Sequence, residues 1–222
     1  MTAIQEAVDY SRTADHRQQT ADVRLDLTPQ GRLHTPCGVR TFLAAETFLS
    51  GLLHELREVA GEDAGRVLYR CGWRWGQHEM RLVVPVIERQ EQQPLPDINA
   101  TAFLEQWWLS LQAAGWGAWQ LDLTRRREGL ILIDLAESAL VAVSGRRASP
   151  VCQLYAGLFA GIFSALTRTE LAGVEIECRA SGAAQCKFTI GTRQCVSAAR
   201  ALLRQGLTAR ELVRQLSASA GR

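Results

Sequence analysis

The chain has 222 residues, the length of one domain with extensions, and at 47% hydrophobic residues it can bury a substantial core. A net charge of +2 is too mild to announce a nucleic-acid partner. No apolar run reaches the roughly 18–20 residues of a membrane span, and the opening residues lack the apolar stretch of a secretory signal. The six cysteines are therefore expected in a reducing cytoplasm, where clustered cysteines bind metal more often than they pair as disulfides.

Residues 1–21 are polar without an apolar stripe and read as a mobile or partner-dependent arm. "VRLDL" at 23–27 alternates as a strand does, "TPQG" turns the chain, and "RLHT" returns as a second strand. From Thr41 the spacing of Phe42, Phe48, Leu49, Leu52, Leu53 and Leu56 predicts a helix that Gly61 ends. Residues 67–84 form a second helix whose end Pro85 disturbs, and 91–99 is a linker whose polar residues cap a helix starting near Thr101. The period then changes to that of strands at 116–124 and 129–138, joined by the basic turn "RRRE". "LVAVS" at 140–144 continues the second strand or forms a third. Ser149 as N-cap and Pro150 as first helical residue open the strongest helix, which runs to Thr167. "GVEIECRA" and "QCKFTIG" are two strands around the turn "SGAA". The tail reads as two short helices broken near Gly206, with Thr208 as the second N-cap. The organisation expected is an arm at 1–21, a domain at 22–192 with a signature core at 140–192, and a helical tail at 193–222. The fold class is α/β in the α+β sense: mixed helices with a small antiparallel sheet.

Near the C-terminus Cys152, Glu175, Cys178 and Cys186 read as C-x22-E-x2-C-x7-C. Three thiolates and a carboxylate suit a closed, four-coordinate Zn2+ site tying a helix to a β-hairpin. Cys152, read as the third residue of its helix, has the positive end of the helix dipole to favour a thiolate. Cys178 and Cys186 lie on opposite arms of one hairpin. Glu175 and Cys178 fall on opposite faces of a flat strand, so a bulge or strong twist is needed to bring them to one metal. Glu177 is the fallback ligand and also has the wrong parity. The other reading of these residues is three buried cysteines acting as small hydrophobes. Cys71 and His78 lack convergent partners and are not read as a second metal pair.

The segment 151–190, with a helix opening on Cys and carrying spaced glycines, then E-x2-C, a glycine turn and a final C-x-F, resembles the 4-vinyl reductase domain. "VLYRCGWRWG" resembles that family's Tyr-x2-Gly-x3-Gly helix more loosely, through Tyr69, Gly72 and Gly76. The same family supplies the sensor domains of phenol-responsive sigma-54 activators. The resemblance implies structural zinc on Cys152, Glu175, Cys178 and Cys186, a mixed α/β fold related to transport-particle (TRAPP) subunits, a homodimer, and a small hydrophobic ligand. In phenol sensors a His and a Trp anchor the hydroxyl.

The six tryptophans fall in pairs, at 73 and 75, 107 and 108, 116 and 119, and aromatics of this size can wall an apolar pocket or build a core. His78, Trp107 and Trp116 are candidates for the polar anchor, and Tyr155 and Phe159, four apart, for ring contacts. Gly157 and Gly161 allow close approach by another element. The turns at 124–128 and 145–149 are locally positive and suit an anionic group such as a tetrapyrrole propionate, or are solvated. With no G-x-G-x-x-G after a strand, no G-x4-GK[ST] and no catalytic triad, catalysis is not favoured. The leading expectation is a non-enzymatic sensor or carrier of an aromatic or tetrapyrrole ligand. The alternatives are a bacteriochlorophyll-biosynthesis factor carrying the reductase name, and a dimeric interaction module. In the last, the tail stripe of Leu207, Leu212, Val213 and Leu216 would meet a partner.

Overall fold

A computed structural model describes residues 25–220, so the arm at 1–21 lies outside the described residues. Three two-residue strands, β1 (Asp26–Leu27), β2 (Leu33–His34) and β3 (Arg40–Thr41), form an antiparallel meander. β3 stands where a helix was expected to begin. That helix, α1 (Glu46–Ala60), starts five residues later and ends as expected at Gly61. Leu53 is buried and Leu49 partly so, but Phe42, Phe48 and Leu52 from the same apolar pattern are 73%, 60% and 52% exposed. Phe48 and Leu52, one helical turn apart, share a side that no other described element covers.

α2 (Ala64–Glu91) is longer than the sequence suggested, because Pro85 sits inside it rather than ending it. The proline removes the N–H that would pair with the Arg81 carbonyl, and both residues are accessible to solvent, where water can serve that oxygen. Val83 and Ile87, buried on either side of Pro85, hold the helix to the core. α3 (Ala100–Ala113) is capped by Asn99, whose Oδ1 accepts the N–H groups of Thr101 and Ala102 at 3.1 and 3.2 Å.

The main sheet contains β4 (Ala118–Asp122), β5 (Ile131–Ala136), β6 (Ala172–Glu177) and β7 (Cys186–Gly191), in the order β4-β5-β7-β6, with every pair antiparallel. Residues 140–144, expected as strand, are instead the short helix α4 (Ala139–Ser144). Glu137 breaks the strand with a left-handed φ of 51°, and Ser138 Oγ then caps the helix by accepting the Val141 N–H at 3.3 Å. α1 packs on α4. The strongest helix, α5 (Gln153–Thr167), begins later than expected: Cys152, not Ser149, occupies the N-cap position.

α5 crosses α2 with the two backbones in contact. A Cβ on Gly72 would stand 1.9 Å from the Leu154 carbonyl oxygen, and one on Gly157 would stand 2.0 Å from that of Tyr69. Only glycine permits this approach. The Tyr69 hydroxyl then accepts the Gly173 N–H at 3.1 Å and ties α2 to β6. α5 and α2 cover one face of the main sheet. The other face carries α6 (Arg193–Arg204) and α7 (Ala209–Ala220), with Leu202, Leu212 and Leu216 buried against Leu130 and Ile176. The tail stripe considered for a partner is thus used internally, because α7 folds back after Gly206 and Thr208 shares a capping box with Glu211. The fold is mixed helices with small antiparallel sheets, and among the described residues no helix is long and apolar enough to cross a membrane.

Candidate metal centre and aromatic cluster

Four side chains meet where α5 begins and the β6–β7 hairpin turns. One ligand atom each from Cys152, Glu175, Cys178 and Cys186 lies within 4.8 Å of the others, and all four residues are buried. The parity problem of Glu175 and Cys178 is resolved in β6 itself. Glu175 pairs with Phe188 and Glu177 with Lys187, so Ile176 is an extra residue in the ladder. This bulge turns Cys178 to the face that Glu175 already occupies. Glu177 is outside the cluster, paired in register with Lys187.

The donor set fits a thiophilic dication such as zinc. Zn–S bonds of about 2.3 Å place tetrahedral sulfurs about 3.8 Å apart, and the Sγ atoms of Cys152 and Cys186 are 3.7 Å apart. Glu175 Oε2 accepts the Cys152 N–H at 2.8 Å, whereas its Oε1 is buried with no hydrogen-bond partner. The sulfurs are backed by donors: the Arg179 N–H reaches Cys186 Sγ at 3.5 Å, and Ser138 Oγ is 3.4 Å from Cys152 Sγ. Such outer contacts orient metal ligands.

Without a cation the cluster is electrostatically crowded. Burial, and then the charge of Cys178, push Glu175 up to about 8. Cys178 is pulled well below the usual thiol range by hydrogen bonds from the Cys152 and Cys186 thiols. Cys152 is pushed up by its hydrogen bond to Cys178, then by that to Cys186 and by burial. Four acids in one buried site cannot all ionise unless a cation neutralises them.

One helical turn along α5 begins a cluster of rings. Tyr155 packs with Trp116 at 6.3 Å and with Phe159 at 6.3 Å between centroids. Trp119 sits among Trp107, Trp108, Tyr155 and Phe159 at 4.9 to 6.1 Å. The Tyr155 hydroxyl donates to the Trp116 carbonyl at 2.5 Å, and burial pushes its pKa up. Trp119 is 7% exposed, yet its Nε1 has no hydrogen-bond partner. Of the candidates read from sequence, Trp107, Tyr155 and Phe159 are buried in this cluster, and Trp116 is half-buried at its edge. His78 lies on α2, outside the ring contacts. Cys71 is exposed.

Sequence reasoning did not single out Trp119 or Glu79. Trp119 lies on the inward parity of β4, a signal available from strand alternation. Glu79 continues the 72, 76, 79, 83 spacing of the packed stripe of α2. It accepts the Trp107 Nε1–H at 3.2 Å.

Comparison with known proteins places this geometry. Residues 131–192 match the model of the 4-vinyl reductase domain. The chain is 27% identical over 158 residues to the "Bacteriochlorophyll synthase 23 kDa chain" of Cereibacter sphaeroides, covering 69% of this chain and 73% of that one. The phenol-responsive sensory domain of the transcription activator PoxR, solved with phenol, superposes with a TM-score of 0.61 at 19% identity, covering 76% of this chain and 85% of that one. A trafficking protein particle complex subunit 3 from Naegleria fowleri, covalently bound to palmitic acid, gives 0.47 at 11% identity, covering 66% and 93%. The PoxR match shares the α+β fold. Residues 131–192 hold β5, α5, the β6–β7 hairpin and all four converging ligand side chains, and through them the chain carries a 4-vinyl reductase domain.

Proposed function

We propose that this chain is a non-enzymatic, zinc-stabilised binding domain that holds a small hydrophobic aromatic or tetrapyrrole ligand and acts as a sensor or carrier. The observation that carries the reading is the juxtaposition of two sites on one helix. Cys152 opens α5 beside Glu175, Cys178 and Cys186, and one turn later Tyr155 and Phe159 enter the ring cluster, where Trp119 keeps a buried, unpartnered N–H. A hydrogen-bond donor buried among rings suits an aromatic ligand carrying an acceptor.

The zinc ligands in this reading are Cys152, Glu175, Cys178 and Cys186. Four protein ligands leave no open position for water, so the metal would hold the hairpin to α5 rather than catalyse. Trp107, Trp116, Tyr155 and Phe159 would line the ligand, with His78 left outside it. Residues 22–192 form the binding domain and 193–222 a tail that braces its sheet. The homodimer implied by the resemblance would use the face of α1 that exposes Phe48 and Leu52, since exposed apolar patches of this kind mark partner surfaces.

The fold of the PoxR sensory domain and its phenol support the sensor reading. The bacteriochlorophyll synthase relative supports the alternative, a biosynthesis factor handling a pigment intermediate. The test is metal content by mass spectrometry together with the visible spectrum of the purified protein. About one zinc per chain, lost in Cys178→Ser, is expected. A pigment band would select the carrier, and protein free of metal after chelator-free purification would overturn the zinc centre.

A further inference from the structure

Glu79 is a carboxylate bonded into the aromatic cluster. It projects from α2 and accepts the Trp107 Nε1–H at 3.2 Å and the indole N–H of Trp75. Trp75 in turn packs on Trp116 at 5.1 Å, and Trp107 packs on Trp119 at 6.0 Å. Two indoles occupy two of the roughly four acceptor positions of a carboxylate, so two remain. Among the described residues no arginine or lysine forms an ion pair with it. Its titratable neighbours include the buried thiol of Cys37 and the imidazole of His78. The cluster therefore holds two polar atoms of opposite sense: the unpartnered donor of Trp119 and the under-used acceptor of Glu79.

We propose that Glu79 is the specificity-determining acceptor of this site, selecting aromatic ligands that bear an O–H, N–H or ammonium donor and excluding those that bear an anion. The proposal rests on the reading of the ring cluster as the ligand site. A donor meeting a carboxylate makes a charge-assisted bond, stronger than one between neutral groups. An ammonium gains further from the faces of Trp75 and Trp107. A ligand carboxylate would meet a like charge with no cation to relieve it. Burial, which pushes Glu79 above the usual carboxylate range, increases its demand for donors.

The test uses four probes, phenol, anisole, benzylamine and benzoate, which differ in the group carried by the ring. Binding is followed by quenching of the six tryptophans in the full-length protein. Phenol and anisole both offer an oxygen to Trp119, but only phenol donates. Phenol is expected to bind at least about tenfold more tightly than anisole, with benzylamine binding and benzoate not saturating. In Glu79→Gln, which keeps an acceptor for the indoles, benzylamine is expected to weaken at least about tenfold and benzoate to gain affinity. Wild-type discrimination stands even if the variant folds poorly, which its melting curve reports. Anisole matching phenol, or a Glu79→Gln variant with the wild-type ranking of probes, would overturn the role of Glu79 and leave the site intact. Failure of all four probes to bind would overturn the site itself.

Discussion

Helices α1 and α5 are each 15 residues long, and the molecule uses them in opposite ways. α5 is enclosed from Tyr155 through Ser164, whereas α1 buries Leu53 and shows Phe48 and Leu52 to solvent. Neither length nor helix propensity distinguishes them. Small residues do: Gly157 and Gly161 let the α2 backbone touch α5, while Gly51 of α1 has nothing within 4 Å of where a Cβ would stand. Backbone contact fixes the position of α5 closely. That is the precision needed by a helix whose first turn carries one ligand of a metal site and whose next turn enters a ring cluster.

The largest test of this contrast is Gly157→Val in α5. Its Cβ would fall 2.0 Å from the Tyr69 oxygen, which is backbone and cannot swing aside. A loss of about 3 kcal/mol or more is expected, at the upper end for overpacking, read by denaturant unfolding. Gly51→Ala in α1 should instead raise stability by about 0.5–1 kcal/mol. Next in size is metal removal. Chelation or Cys178→Ser should lower the melting temperature and raise hydrogen exchange in the β6–β7 hairpin and the first turn of α5, leaving α1 unchanged.

A smaller effect concerns pH. Burial raises the folded pKa of Glu79 above the ordinary value of 4.5, so in that window the folded state holds a proton that the unfolded chain releases. The contribution of Glu79 to stability is therefore present below pH 4.5 and is lost as pH rises through the folded pKa. Melting temperatures of wild type and Glu79→Gln should diverge as pH is raised from about 5, with the variant gaining; parallel curves would exclude the effect. The smallest change in stability is expected for Phe48→Ser with Leu52→Ser, within about 0.5 kcal/mol per site. Sedimentation would show the pair converting a dimer to a monomer if α1 forms the interface.

How much of this was legible in the sequence depended on whether the signal was local. The N-caps at Asn99 and Thr208, and the turn at Gly61, are local and stood where the residues placed them. The convergence of Cys152, Glu175, Cys178 and Cys186 was legible from their spacing, including the need for a bulge, but the position of the extra residue, Ile176, depends on pairing with β7. The helix at 140–144 was hidden because β-branched valines favour strands, and the deciding event is a backbone reversal at Glu137. Pro85 misled because its cost depends on which side of α2 it faces. Glu79 and Trp119 were missed because their meaning comes from neighbours distant in the chain.

The glycine contact between α2 and α5 has a mechanical consequence. Side chains between helices absorb small displacements by changing rotamer, and two backbones in contact have no such slack. Trp75 and Glu79 on α2 are therefore rigidly geared to Cys152 and Tyr155 on α5. A shift imposed on the rings arrives at the hairpin undamped, and strain in the hairpin travels back by the same route.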